Sequence, residues 1–430
     1  MELKIKKSDI TGEKIFYGTH SSGLEIHIIP KKDYSQNYAI FATRYGSVDS
    51  KFVVPGETEP TEVPDGIAHY LEHKMFDQPD GSNVFDKFSR YGANANAFTS
   101  FNMTAYLFNA TANVEENLAT LLDYVQSPYY TDETVQKEQG IIGQEINMYD
   151  DSGNWRVFFN FLGCLYNNHP VKKDIAGTIE SISHITADYL YKCYNTFYNL
   201  SNMAIVVIGD VEPERILNVI EDGIKKNEPF TEEIKKIYPD EPANVAKHYV
   251  EQKLSVAMPL FMMGFKDTDT GYSGKKLLKK HIEMSIILQM LFGKSSHFYR
   301  NLYEQGLITP SYGVDYSMQT DYAFTSIEGE SNDPKKVYDM MLDEVDKFRE
   351  SGLNKEDFER IKKVLWGSYI RGMNDVEDYA SSYLQFLFMG IDYFDYYDVY
   401  NEISFEDAVK RFEQHFVRDN AALSVVFPVE

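Results

Sequence analysis

The segment HYLEH, residues 69–73, places two histidines four positions apart with a glutamate directly before the second. Residues at this spacing lie on the same side of an α-helix, so both imidazoles can reach one metal ion at about 2 Å. Zn²⁺ lowers the pKa of a bound water toward neutrality, and a nearby carboxylate can take the released proton. The segment therefore predicts His69 and His73 as ligands of one Zn²⁺ ion per chain and Glu72 as general base, in the inverted order of the HExxH motif. The alternative is a chance cluster on a polar helix face.

A third ligand is expected, because hydrolytic zinc sites normally have three protein ligands. Glu138 and Glu145 are two turns apart on a later helical segment and share one face. Apolar residues flank them there, namely Val135, Ile141, Ile142 and Ile146. A carboxylate buried among such residues needs a cation or hydrogen-bond donors, and Gly140 and Gly143 would let another element approach closely. Both glutamates are therefore candidates for the metal site, with a solvated acidic face as the alternative.

The two halves of the chain resemble each other at an offset of about 220 residues. Residues 107–125 and 327–345 both have the pattern of a strand end followed by an amphipathic helix. The counterpart of the histidine segment, residues 282–292, has neither histidine, and Ile361 and Ser368 stand near where the first half has its glutamates. Histidines and carboxylates disappear together, as expected if they serve one site.

Short apolar segments with the pattern of β-strands occur along the chain. Longer segments with the periodicity of amphipathic helices lie between them. The strand segments are GLEIHIIPK, YAIFATRYG, TAYLFNAT, MAIVVIGDV, LFMMGFKD and AFTSIEGES. Because strands occur both as neighbours and separated by helix pairs, we predict an α+β fold with two similar domains. The polar, proline-containing stretch 226–247 is the expected linker, which predicts a zinc-binding catalytic domain at 1–225 and a homologous domain without metal at 248–430.

Composition restricts the classes of function. The 430 residues carry a formal net charge of −24, with 43% hydrophobic and 25% charged residues. This composition is typical of globular proteins, and so negative a chain argues against a nucleic-acid partner, because phosphates would be repelled. Cys164 and Cys193 show no pairing pattern, and the sequence contains neither the apolar core of a signal peptide nor an apolar run of membrane-spanning length. These features predict a cytoplasmic protein with no membrane partner.

HxxEH followed by a helix with ExxxxxxE resembles the pitrilysin/insulinase family of zinc metallopeptidases, which includes the mitochondrial processing peptidase. Further segments that resemble the family are residues 91–108, 169–212 and 295–314, so the resemblance covers nearly the whole chain. It implies that Glu145 is the third zinc ligand. It also implies that Glu138 is, with Glu72, a catalytic residue, which would orient a histidine ligand or a neighbouring group.

The family's fold implies that each domain is a mostly antiparallel sheet backed by helices, the LuxS/mitochondrial-processing-peptidase-like metallohydrolase fold. Two such chains would enclose a chamber that admits peptides or unfolded segments, and the substrate would add as an extra strand. Asn96, Ala97, Phe98 and Thr99 occupy the family's main-chain-binding positions. From the residues alone, NAFTS is a loop that enters a strand.

The chain departs from the family in its second domain. Members that complete the active site there have an arginine after the leucine of a signature and a tyrosine a few residues later, which help to hold the oxyanion. Here Leu302 is followed by Tyr303, Arg300 lies about one turn away, and Tyr312 matches the family tyrosine only with longer spacing. Tyr312 is therefore a candidate oxyanion residue, and Arg300 a candidate substitute for the arginine.

In paired bacterial members of the family, one subunit has the zinc motif. A homologous partner that lacks this motif supplies the arginine and the tyrosine. This chain resembles the zinc-bearing subunit, which implies a heterodimer; a homodimer is the other arrangement. The sequence thus predicts a zinc endopeptidase that acts on peptides or unfolded segments and is completed by its partner. The alternative is a non-catalytic scaffold or peptide-binding subunit of a larger assembly.

Overall fold

A computed structural model describes residues 1–225 and 227–429, so Lys226 of the predicted linker and Glu430 lie outside the described residues. The chain forms two compact units. The first contains Met1–Ile146, Lys173–Tyr238 and Gly372–Leu384, and the second contains Asn147–Lys172, Pro239–Arg371 and Gln385–Glu430.

The six segments predicted as strands all form strands, and further strands complete the sheets. In chain order the strands are β1 (Lys4–Lys7), β2 (Lys14–Thr19), β3 (Glu25–Pro30), β4 (Asn37–Thr43), β5 (Lys51–Val53), β6 (Thr61–Glu62), β7 (Ala93–Thr99), β8 (Thr104–Ala110), β9 (Met203–Gly209), β10 (Lys235–Lys236), β11 (Tyr249–Leu254), β12 (Leu260–Phe265), β13 (Gly313–Met318), β14 (Ala323–Glu330) and β15 (Ala421–Pro428).

The helices lie between these strands. In chain order they are α1 (Ile67–Lys74), α2 (Val84–Arg90), α3 (Val114–Val125), α4 (Asp132–Asp151), α5 (Gly153–Leu165), α6 (Ile179–Ile182), α7 (Ala187–Phe197), α8 (Pro213–Gly223), α9 (Gly274–Leu291), α10 (His297–Glu304), α11 (Pro334–Ser351), α12 (Lys355–Gly372), α13 (Val376–Phe388), α14 (Asp395–Glu402) and α15 (Phe405–His415). Short 3₁₀ helices cover Pro170–Lys172, Leu200–Asn202 and Arg418–Asn420.

The first unit is built on a seven-stranded sheet with the order β1-β2-β3-β9-β4-β8-β7. Only the β3–β9 pair is parallel among its described pairings. Strand β9, MAIVVIG, is buried along its whole length, which explains why its sequence is a continuous apolar run. Helices α1 and α2 pack against β7, and α3 packs against β4 and β8.

The second unit is built on a five-stranded sheet with the order β11-β15-β12-β14-β13. Its β11–β15 pair is parallel and its other described pairs are antiparallel. Helix α11 packs against β12, while α9 packs against β13, α14 and α15.

The two sheets share one topology. Five neighbouring strands of the first sheet have the order β3-β9-β4-β8-β7, and the second sheet has the order β11-β15-β12-β14-β13. In each set the strand that comes last in the sequence, β9 or β15, lies beside the strand that comes first, β3 or β11. Each set begins with a parallel pair, and antiparallel pairs follow. This confirms the predicted α+β fold with two similar, mostly antiparallel domains, and it makes α9 the topological counterpart of α1.

Helix α5 belongs to the second unit, although it lies within the stretch 1–225. It packs across β11, β12 and β15. The packing at its first residue is tight, because a Cβ on Gly153 would lie 2.6 Å from Cγ1 of Val256 and 2.7 Å from Cδ1 of Leu260. The first unit is therefore not the contiguous domain that we predicted from the sequence.

A segment from the second half of the chain belongs in turn to the first unit. It consists of residues 372–384 and contains most of α13. There the hydroxyl of Tyr383 lies 2.8 Å from Nδ1 of His27, a buried residue of β3. Because each unit takes one helical segment from the other half of the chain, the limits predicted from the sequence do not describe the compact units.

The described part of the predicted linker, 226–247, is anchored by side-chain contacts. The hydroxyl of Tyr238 donates to Asp49 at 2.7 Å in the first unit. In the second unit, the carboxylate of Glu241 pairs with the buried ammonium group of Lys266 at 2.5 Å. This stretch is therefore held by specific contacts on both sides of the change of unit.

Among the described residues, no helix combines the length and apolar character needed to cross a membrane.

Candidate metal centre

The helix that carries both histidines, α1, begins at a crowded position that requires glycine. Gly66 precedes its first residue with φ +89°, in the left-handed region that favours glycine. A Cβ there would lie 2.4 Å from the carbonyl oxygen of Ala176. The helix begins at Ile67, and no side chain caps it. Gly66 fixes where α1 starts and therefore where the histidines lie.

Buried apolar residues on the side of α1 opposite the two histidines hold this helix in place. Ile67, Leu71 and Met75, which follow one another at four-residue spacing, are buried. The hydroxyl of Tyr70 donates to the backbone carbonyl of Val135 on α4, which ties the two helices together. The helices that carry the candidate ligands therefore have a direct connection beside the site.

Helix α4 presents both glutamates toward α1. Its residues Val135, Ile142 and Ile146 are buried as predicted, but Ile141 is 48% exposed, because it points away from the packed face. The expected close approach at Gly140 and Gly143 is also absent, since a Cβ at either would meet no atom of the described residues within 4 Å.

His69, His73 and Glu145 converge on one point. One potential ligand atom from each residue lies within 4.8 Å of the others. Nε2 of His69 is 3.7 Å from Oε1 of Glu145, and Nε2 of His73 is 3.3 Å from Oε2 of the same carboxylate. Atoms that are each about 2.0–2.1 Å from a tetrahedral ion lie about 3.3 Å apart, so these separations suit zinc. Two imidazoles and one carboxylate are also a donor set typical of this metal.

Glu138 contacts the outer nitrogen of a histidine. Its Oε1 lies 3.1 Å from Nδ1 of His73. When Nδ1–H donates to this carboxylate, the lone pair of Nε2 is free to point toward Glu145. For His69, Nδ1 is buried and has no hydrogen-bond partner among the described residues.

The electrostatics of the site favour a cation. Burial lowers the pKa of His69 to about 4, so this imidazole is neutral at pH 7 with a lone pair available. Burial also disfavours charge on His73, but hydrogen bonds with Glu138 and Glu145 outweigh it and raise the pKa of His73 to about 10. The carboxylates around His73 therefore stabilise positive charge at the point where the ligand atoms converge.

Glu72 lies beside this point and is only 7% exposed. Burial raises the pKa of its carboxyl, and a hydrogen bond from Thr99 opposes part of that rise. The hydroxyl of Thr99 donates to Oε2 of Glu72 at 2.7 Å. A raised pKa strengthens a carboxylate as a proton acceptor, which is the property that a general base needs.

The residues predicted to bind substrate lie on an edge strand. Asn96, Ala97, Phe98 and Thr99 all belong to β7, which lies at the edge of the seven-stranded sheet and pairs with β8. The prediction from the residues alone, a loop that enters a strand, is wrong for Asn96–Thr99, because these four residues all pair with β8. The backbone N–H of Ala97 donates to the side-chain oxygen of Asn96 at 2.9 Å.

Tyr312 and Tyr303 lie in the second unit. Tyr312 is 2% exposed, and its hydroxyl donates to the backbone carbonyl of Phe292 at 2.9 Å. A buried hydroxyl whose one proton is committed cannot also donate to a substrate oxyanion in this conformation, which corrects our expectation for Tyr312. Tyr303, at the place of the family arginine, is 52% exposed on α10.

Sequence reasoning missed two features of this centre. The sequence predicts only a main-chain role for Thr99, yet its side chain contacts Glu72. The predictions from the sequence do not include Gly66, although its positive φ sets the start of α1. The glycine directly before a helical segment was the available signal for Gly66. For Thr99 no local signal exists, because the contact depends on which face of β7 meets α1.

Comparison with known proteins places this chain in a class of peptidases. The family model described as insulinase (peptidase family M16) matches residues 53–179, and the model described as peptidase M16 inactive domain matches residues 184–365. A Bacillus subtilis (strain 168) protein described as the uncharacterized zinc protease YmfH is 41% identical over 418 residues, covering 97% of each chain. The chain therefore belongs to the pitrilysin/insulinase family.

Solved structures agree with this assignment. The crystal structure of an M16-like peptidase from Alicyclobacillus acidocaldarius has a TM-score of 0.92 at 34% identity, covering 97% of this chain and 99% of that one. Pitrilysin shares the fold with a TM-score of 0.76 at 15% identity, where this chain covers 46% of the longer protein. Relatives named as zinc proteases support a function of peptidase type.

Proposed function

We propose that this chain is a zinc-dependent endopeptidase that cleaves peptides or unfolded segments. The observation that carries the proposal is the convergence of His69, His73 and Glu145 beside the buried carboxylate of Glu72. A zinc ion bound there would polarise the substrate carbonyl and acidify water. The family membership and the relatives described as zinc proteases support the same reading.

Different residues of the chain would bind the metal, orient a ligand, transfer the proton and bind the substrate. His69, His73 and Glu145 hold the metal, and Glu138 orients His73 through Nδ1. Glu72 takes a proton from the attacking water and returns it to the amine that leaves when the peptide bond breaks. The edge strand β7, with Asn96 to Thr99, would pair with an extended substrate through main-chain hydrogen bonds.

A homologous partner subunit completes the active site in this proposal. The chain has Tyr303 where active family members have an arginine, and the hydroxyl of Tyr312 is committed to a backbone carbonyl. Donors for the developing oxyanion would therefore come from a related chain in a shared chamber that admits unfolded segments. A homodimer would not supply the missing arginine at that position.

The experiment compares the wild type with Glu72→Gln on unstructured peptides, with and without the co-purified partner. Glu72→Gln is expected to retain zinc and to lose at least about 100-fold in kcat, because the general base is gone. Glu232→Gln, at an exposed glutamate of the first unit, is the matched control and is expected to keep wild-type turnover. Equal turnover by wild type and Glu72→Gln would refute the proposed role of Glu72.

The alternative function, a scaffold or peptide-binding subunit, makes a different prediction in the same experiment. It predicts bound zinc and peptide binding, with no cleavage by the wild type either alone or with its partner. The intact set of ligand residues and the buried Glu72 favour the enzyme, because a scaffold does not need a general base.

A further inference from the structure

The hydroxyl of Thr99 lies 2.7 Å from Oε2 of Glu72. An ionised carboxylate can only accept hydrogen bonds, so the proton in this contact belongs to Thr99. The side chain of Thr99 is therefore engaged with the base, while its backbone belongs to the edge strand β7.

The position of this hydroxyl is set by the sheet and not by a flexible loop. Thr99 is the last residue of β7 and pairs with Thr104 of β8. Thr104 is fully buried, and its hydroxyl donates to the backbone carbonyl of Tyr45 at 2.9 Å. Its oxygen is also 3.5 Å from that of Thr99. Because the single proton of Thr104 is used by Tyr45, it does not compete for Glu72.

The contact leaves the two oxygens of Glu72 in different environments. Oε2 receives the Thr99 hydroxyl, whereas no described residue donates a hydrogen bond to Oε1. The last torsion of a glutamate is otherwise broad, so a hydrogen bond at one oxygen favours one orientation of the carboxylate and of its second oxygen. The same residue therefore connects the strand edge with the orientation of the base.

We propose that Thr99 is a positioning residue, whose hydroxyl holds Glu72 in the orientation for proton transfer relative to the edge strand β7. This inference rests on the proposed peptidase function and adds a side-chain role at that site. In this proposal β7, the strand that would bind the substrate, also sets the orientation of Glu72.

The variants Thr99→Val and Thr99→Ser test the inference in the zinc-loaded chain with its partner. Thr99→Val keeps the shape and branching at Cβ and removes the hydroxyl. Its kcat is expected to fall about 10- to 100-fold with little change in KM, because the base loses its orientation while substrate binding persists. Thr99→Ser is expected to recover most of kcat, and both variants are expected to keep wild-type zinc content and Tm.

Thr43→Val is the matched control, since Thr43 is a buried threonine of β4 whose hydroxyl donates to the carbonyl of Phe197. It is expected to lower Tm and to leave kcat and KM unchanged. Wild-type kcat in Thr99→Val, or equal losses in Thr99→Val and Thr99→Ser, would overturn the inference.

Crystal structures of the zinc-loaded wild type and Thr99→Val give a readout that does not need activity. The carboxylate of Glu72 is expected to turn away from its wild-type position in Thr99→Val, and an unmoved carboxylate overturns the inference. A wild type that cleaves no peptide with its partner counts against the proposed function alone, and the crystal comparison then still decides the role of Thr99.

Discussion

Oε1 of Glu138 lies 3.1 Å from Nδ1 of His73. That nitrogen is the one that does not face Glu145, so the imidazole is held from one side and directs its other nitrogen toward Glu145. This arrangement gives the two glutamates of α4 different roles, although they share a helix face and residue type. The first orients a ligand, and the second is itself a ligand in our proposal.

The different roles predict different losses of zinc affinity. Glu145→Ala removes a ligand and is expected to weaken zinc binding by well over 100-fold. Glu138→Ala removes only the partner of a ligand, a change that typically costs about 10- to 100-fold. Competition with a chromophoric chelator measures both affinities. Equal losses would mean that ligand and orienting residue are assigned wrongly.

The start of α1 provides a test of how the fold positions the histidines. Gly66→Ala introduces both a strained φ and a clash with the carbonyl of Ala176, so we expect a loss of about 2 kcal/mol or more in the free energy of unfolding. Gly56→Ala is the matched control, because Gly56 has φ +85° but no described atom within 4 Å of the added Cβ. Thermal unfolding compares them. A Gly66→Ala variant no less stable than Gly56→Ala would contradict the described packing.

Glu241 predicts a dependence of stability on pH. Burial of its carboxylate is outweighed by a hydrogen bond with Lys266 and by backbone N–H groups of Asn167, Asn168 and His169, which lower the pKa of Glu241 to about 2. The unfolded chain has a pKa of about 4.3 for glutamate, so the stabilisation is complete above this pH and is lost as the pH falls toward 2.

The measurement for Glu241 is Tm as a function of pH in the wild type and in Glu241→Gln. We expect the variant to melt several degrees lower at pH 7, and the difference to shrink between pH 4.5 and 2.5. A difference that stays constant through this range would show that the charge of Glu241 does not stabilise the fold.

Much of this molecule could be predicted from its sequence, because the informative patterns are local. The alternation and apolar runs of β3, β4, β8, β9, β12 and β14 predicted strands, and the fold with two similar domains followed from the repeated pattern. The spacing of His69 and His73 predicted that both imidazoles lie on the same side of one helical turn, and in α1 they do. These features depend only on residues that are close in the chain.

Features that depend on distant residues could not be predicted. Helix α5 follows α4 directly, and nothing in its own sequence shows that its apolar face packs on β12 and β15. Ile141 fits the apolar pattern of α4 but is exposed. The periodicity of a helix predicts an apolar face but not where the packed part of that face ends. The Thr99 hydroxyl reaches Glu72 only through the pairing of β7 with β8 and the packing of α1 on β7.

The most direct test of the proposed zinc site is a crystal structure of the chain with zinc, with diffraction collected above and below the zinc absorption edge. We expect one anomalous peak about 2 Å from Nε2 of His69, Nε2 of His73 and a carboxylate oxygen of Glu145, and none at this position in His73→Ala. A wild-type map without a peak there, or with its strong peak among other residues, would contradict the assignment of this chain as a zinc peptidase subunit.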